Sequence, residues 1–363
     1  MLLFSLATKA QLNNATLETF QHIDAAKSLK LSFQFESFSF VKNNEYFLKV
    51  ADGYTLFGNI LTPKMLFQPA PNVQVEGGIF ARKDFGNNAF TSVQPIFTVK
   101  IQKDSSQFLF GNLEGHLNHQ LIEPMLNFER VILNRQENGL QYTKRKKNTF
   151  FDGWIDWQKM IYKGSDFKEE IFAGFNWNKK LYHGTKFSFS IPVQVTFQHT
   201  GGQITTDTGQ VITNINAAVG IEAEWRIDRA IQKIRLQNYF VGYHQKSNYH
   251  PFFPEGSGIY LNLTAETKLL NLMISYWNSS GYLSDAGGDL YQSVGRTFRF
   301  GNHIEKHRNI LVIRAMKDFK IMDNLYLTFR FEPYFDLNNK AFEHAESLFL
   351  NYRQNFNLGK IKK

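Results

Sequence analysis

Glu222 and Glu224 stand two residues apart in a run that alternates apolar and polar side chains. At strand rise their carboxylates lie about 7 Å apart, within the spacing that glycoside hydrolysis asks of its acid and base. Arg226 follows on the same face and offers either of them an ion-pair partner, which favours a charged lining over catalysis. Asp152 and Asp156 are four apart, roughly 13 Å at strand rise, too far to share a proton. His116 and His119 lie near Glu114 and Glu123. On a helix His119 and Glu123 would share a face as a metal pair, but the spacing matches no zinc-enzyme motif, and no metal site is expected. Neither Gly-x-Ser-x-Gly, GxxxxGK[ST] nor GxGxxG occurs, and no Ser–His pairing stands out. The chain has no cysteine, so disulfides and thiolate metal sites are excluded. These residues predict no catalytic group, no cofactor and no enzyme.

The elements that carry these residues are strands. Phe187, Phe189, Ile191, Val193, Val195 and Phe197 alternate with Ser188, Ser190, Pro192, Gln194 and Thr196, and the rhythm returns from Ile215 to Ile227. A period of two marks a strand with one apolar and one polar face. These runs exceed ordinary globular strands and approach the length that crosses a bilayer at a tilt, with the apolar face on lipid and the polar face on a lumen. Similar segments recur from Leu29 to Leu358, about 16 in number, with 14 or 18 also compatible. The class is all-β: a single antiparallel transmembrane β-barrel. Long connectors at Thr200–Thr213, Gln245–Ser257 and Ser279–His307 contrast with short hairpins such as Asn178–Lys180 and Lys320–Asn324, the loop asymmetry of such barrels. In the first strand the apolar phase slips at Glu36-Ser37, read as a β-bulge, and Lys42 to Glu45 reads as a turn.

Projecting the polar faces gives a lumen. Its charged and amide groups are Glu137, Gln141 and Arg145; Asp152 and Asp156; then Glu222, Glu224 and Arg226. Glu266 and Lys268 follow, then Arg330 and Glu332, and Arg353 on the last strand. The stretch 115–130 breaks the pattern and reads as a short helix or an inward-folded loop, a constriction carrying His116, His119 and Glu123.

Composition agrees. Mean hydropathy is −0.34 and no run of 18 apolar residues occurs, as expected when each strand spends half its residues on a polar interior. The 36 Phe, 15 Tyr and 5 Trp suit a lipid-facing wall with interfacial girdles. The net charge is +9, but Lys144-Arg145-Lys146-Lys147 comes with no nucleic-acid motif, so a rim against anionic headgroups is expected and nucleic acid is not. Residues 1–10, with apolar Met1 to Leu6 before Ala7-Thr8-Lys9-Ala10, read as a remnant of a signal peptide. Residues 11–363 then form one barrel domain.

The chain resembles the porin-like outer-membrane barrels of Bacteroidota-type Gram-negative bacteria. The likeness is carried by Gly53-Tyr54-Thr55-Leu56-Phe57-Gly58, by the stretch 111–124 (GNLEGHLNHQLIEP), by Glu137-Asn138-Gly139-Leu140-Gln141 and by Asp152-Gly153-Trp154-Ile155-Asp156-Trp157. It implies a multi-pass outer-membrane channel for passive diffusion of small polar solutes; the basic balance adds a weak anion preference. Its expected partners are outer-membrane lipids and lipopolysaccharide, with a homo-oligomer or envelope-complex partner possible. Such barrels usually end on an aromatic residue, whereas here Phe356-Asn357-Leu358 is followed by a basic tail. The alternative is a plugged structural subunit of an assembly or secretion complex, its lumen charges mutually paired. A lipid-modifying or hydrolytic barrel is a third reading, requiring a buried Ser–His or His–carboxylate constellation.

Overall fold

A computed structural model describes residues 14, 16–227, 230–247 and 251–361; the expected signal remnant lies outside the described residues. Alternating side chains produce long strands: β1 (Lys30–Glu45), β2 (Tyr54–Ala70), β3 (Val73–Asp84), β4 (Ser92–Lys103), β5 (Ser106–Asn112), β6 (Asn138–Lys146), β7 (Thr149–Lys159), β8 (Glu169–His183), β9 (Phe187–Gly201), β10 (Ile212–Arg226), β11 (Ile231–Ser247), β12 (Glu255–Thr267) and β13 (Asn271–Ser280). A small hairpin, β14 (Val294–Thr297) and β15 (Gly301–Ile304), precedes β16 (His307–Met322), β17 (Leu325–Asp336) and β18 (Ala341–Lys360). All but β14 and β15 form one closed antiparallel barrel of 16 strands, each beside its neighbour in sequence, with β18 sealing against β1. Closure removes every unpaired strand edge, which hydrocarbon would not tolerate. Tight turns join the strands at one end, as at Pro71-Asn72 and Asp104-Ser105, and long loops at the other.

The lumen is filled. The 113–137 connector folds inward, with a 3-10 turn at His116–His119 and a short helix, α1, at Arg130–Leu133. The 281–306 connector packs on it, Asn127 N–H donating to Ala286 O at 2.7 Å and Gly288 N–H to Glu123 O at 3.0 Å. From the turn end, the segment before β1 enters beneath them: Phe20 N–H donates to Asn118 Oδ1 (3.1 Å) and Gln21 N–H to Glu114 Oε1 (3.1 Å).

This filling corrects the expected bulge. Register runs unbroken through Glu36 and Ser37 and shifts instead between Leu31 and Ser32. Phe38 and Phe40 share the inward phase of Glu36 and are almost wholly buried against Leu17, Phe128, Val131 and Ile132. The apolar phase switches because the lumen contains an apolar plug, with no extra residue inserted. The turn expected at Lys42 to Glu45 is strand, since Lys42 and Asn44 reach inward to Glu129 of the plug. The hairpin expected at Asn178–Lys180 falls at 184–186, with β8 continuous through those residues.

Candidate functional site

The sequence-derived lumen residues face inward with partners already in place. Glu222 accepts from Asn178, Ser190, Gln237 and Tyr239 at 2.7–3.2 Å. Glu224 takes Arg226 (3.4 Å) and Arg235 (3.3 Å), and Glu266 takes Arg235 and Lys233 (both 3.2 Å). Arg353 meets Glu36 at 3.2 Å, and Asp156 caps the Asn138 N–H at 2.7 Å. Arg145 lies over the rings of Phe20 and Phe150, 3.9 and 4.8 Å from their centroids. Lys268 is the exception: it sits exposed in the turn after β12, because the strand ends before its phase would aim it inward.

Ion pairs of Glu129 with Lys42, Glu114 with Lys100 and Arg135 with Glu36 tie the plug to the wall, and two larger charged centres add to them. Glu123 receives Arg314 and Arg330 (2.8 Å) from the barrel wall, together with the Tyr291 hydroxyl (3.0 Å), and Glu332 accepts from the same two guanidinium groups. The second centre is a histidine held between two carboxylates. His119 is wholly buried, stacked on Trp154 at 3.7 Å, with Nε2 2.8 Å from Glu137 and Nδ1 2.6 Å from Asp152. His116 Nδ1 lies 3.1 Å from the other Glu137 oxygen, and Gln141 Nε2 donates to the other Asp152 oxygen at 2.9 Å. His119 and Glu123 therefore serve different centres and share no helix face.

This is the buried His–carboxylate constellation that a hydrolytic barrel requires, yet its chemistry is that of a clamp. Burial works to lower the His119 pKa, but Glu137 and Asp152 more than offset it and hold it up at about 9. Doubly protonated, the ring has no lone pair with which to take a proton. Burial pushes His116 down to about 4, so it keeps a lone pair. It faces a cavity of about 80 Å³, room for two or three waters and far too small for an acyl chain.

A cleft of ligand size lies at the loop end. About 410 Å³ opens between the β1–β2 loop and the β14–β15 hairpin, lined by Asn43, Glu45, Asp52, Tyr54 and Thr55 with Arg299 and Phe300. Asn43 and Glu45 share the outward phase of Phe33 and Phe35, and Thr55 that of Phe57. On β18, His344 and Glu346 share the outward phase of Leu348 and Leu350. Pairing sets Thr55 beside Asn43, Asn43 beside Glu346, and Glu45 beside His344. The result is a polar row on the outer wall at the loop rim. His344 Nε2 is 3.4 Å from Glu346, about a third of each side chain remaining exposed. Asn43 Nδ2 donates to Glu346 (3.0 Å) and Glu45 (2.5 Å), and Thr55 Oγ1 donates to Asn43 Oδ1 (2.7 Å). This row is absent from the sequence-derived lumen because its residues lie on the outward phase. Its signal was available: titratable residues on the phase that otherwise meets lipid.

A family model described as lipid A 3′-O-deacylase-type matches residues 23–361. The chain belongs to that family. The expectation that it is not an enzyme is thereby overturned, because the family is described by a deacylase activity; single-strand motifs gave no sign of it, since no consensus nucleophile motif is present. No curated protein matches the sequence. Among solved structures the barrel is similar to the outer-membrane protein OprD of Pseudomonas aeruginosa, with a TM-score of 0.52 at 10% identity over 93% of this chain and 97% of that one. It is also similar to OmpT of Vibrio cholerae, with a TM-score of 0.52 at 8% identity over 89% and 97%. At such identities the likeness is one of fold. It is an outer-membrane β-barrel.

Proposed function

We propose that this barrel hydrolyses acyl esters of an outer-leaflet glycolipid at its outer rim. One observation carries the reading: the lumen is plugged and its charged groups are engaged by ion pairs, hydrogen bonds or ring contacts, while a titratable His–carboxylate pair stands on the outer wall beside a cleft of ligand size. In this reading His344 takes a proton from water, whose oxygen attacks the ester carbonyl; the proton then passes to the departing alkoxide. Glu346 orients the imidazole and stabilises its cationic form, as in other His–carboxylate bases. In this reading the rim pair meets the substrate where headgroup joins acyl chain, the depth of an ester linkage.

The test is fatty-acid release from purified lipid A by the refolded full-length barrel, followed by mass spectrometry. His344→Ala is expected to lower the rate by about 10²-fold or more, with Glu346→Gln intermediate. A wild-type barrel that releases no fatty acid, or a His344→Ala variant as fast as wild type, would sink the reading. Passive diffusion of small polar solutes draws support from the shape shared with OprD and OmpT, and the plug weighs against it. Steady conductance from the wild-type barrel in a planar bilayer would favour that second reading.

A further inference from the structure

We infer that the rim also carries a dock for the phosphate of an anionic glycolipid, formed by Lys49 and Arg299 around the ring of Phe300. This deepens the hydrolase reading, on which it rests for the choice of glycolipid. Arg299 Cζ lies 5.1 Å and Lys49 Nζ 6.0 Å from the Phe300 centroid. Neither cation has a carboxylate partner among the described residues, whereas Arg226, Arg235, Arg314, Arg330 and Arg353 in the lumen are each ion-paired.

The segments that carry the two cations are joined through backbone, and both side chains are exposed. A Cβ at Gly295 would lie 2.5 Å from Lys49 O, so the β14–β15 hairpin packs main chain to main chain on the β1–β2 loop. Phe298 N–H donates to Asp52 at 2.9 Å. On the other side, Leu48 N–H donates to Glu343 at 2.7 Å, and Glu343 adjoins His344 in the chain. Two cations without carboxylate partners beside one ring offer a phosphate group charge-assisted hydrogen bonds. The carboxylates of the same cleft are already engaged, Asp52 by the Phe298 amide and Glu45 by Asn43.

The aromatic residues identify the occupant as a lipid. Phe298 is fully exposed and Phe47 is 71% exposed, both beside the cationic pair at the loop rim. Apolar rings exposed there gain by burial at the boundary of headgroups and acyl chains. A soluble phosphate would gain nothing from them, whereas an acylated, phosphorylated headgroup meets both charge and apolar surface.

Binding would be measured for the full-length barrel in phosphatidylcholine nanodiscs, with bis-phosphorylated lipid A and its dephosphorylated form as probes and inorganic phosphate as competitor. The wild type should prefer the phosphorylated lipid. Lys49→Glu/Arg299→Glu should weaken its binding by about tenfold or more and leave the dephosphorylated lipid unaffected. Lys49→Gln/Arg299→Gln gives the milder form of the same effect if charge reversal impairs refolding. Equal affinity for the two lipids, or wild-type binding by both double variants, would overturn the dock. So would full competition by millimolar inorganic phosphate, which would make it a solute site. Phosphate-dependent binding without fatty-acid release would leave the dock standing and remove the hydrolase reading.

Discussion

Replacing His119 by Phe removes the clamp while keeping a ring against Trp154. It leaves Glu137 and Asp152 buried without the cation that both contact, a loss of about 3–5 kcal/mol by the usual cost of breaking a buried pair. The raised proton affinity of His119 gives a second figure. The ordinary histidine value is 6.5 and the folded value about 9; at 1.36 kcal/mol per unit the difference contributes about 3 kcal/mol. Because the folded value is the higher, this stability is fully present below pH 6.5 and is lost as pH rises through 9. Urea unfolding of the detergent-refolded barrel at pH 6, 7.5, 9 and 10 reads both quantities. Wild type should lose about 3 kcal/mol across that series. His119→Phe should begin about 3–5 kcal/mol lower and show a flatter dependence over the same range. Equal slopes for the two proteins would refute the clamp.

Glu123→Gln removes one of the two acidic groups that hold Arg314 and Arg330. It should cost about 3–5 kcal/mol and release the plug, seen as conductance steps in a planar bilayer; a silent bilayer and unchanged stability would contradict the latch. At Gly287 a Cβ would lie 2.0 Å from Pro124 O. Gly287→Ala should therefore separate the 281–306 and 113–137 segments at about 1–3 kcal/mol and expose them to added protease. A nitroxide-reactive cysteine reports the phase of β1 directly. Ser37→Cys should be accessible to a lipid-borne quencher and Phe38→Cys protected, and the reverse pattern would restore the bulge.

The wall of the barrel was legible because a two-residue period is a local property: Phe187 to Phe197 announces its faces without help from any other strand. The plug was not, because what lies opposite Phe38 is set by residues some 90 positions away. A one-sided model of the lumen turned an inward Phe into a phase error. His119, Glu137 and Asp152 were each marked as interior residues, but their convergence depends on how a non-repetitive loop folds and no spacing encodes it. The rim row was hidden differently. Asn43, Glu45, His344 and Glu346 sit on two strands at opposite ends of the chain and share a face only through barrel closure.

That division has a consequence for biogenesis. The seam between β1 and β18 runs through the candidate row, with Asn43 on the first strand and Glu346, 303 positions later, on the last. While the chain is being delivered and inserted, neither half has the other, and the row does not exist. It forms only when the final strand pairs with the first and closes the barrel. Completion of the barrel thus adds Asn43, Glu45 and Thr55 to a His344–Glu346 pair that the last strand carries by itself.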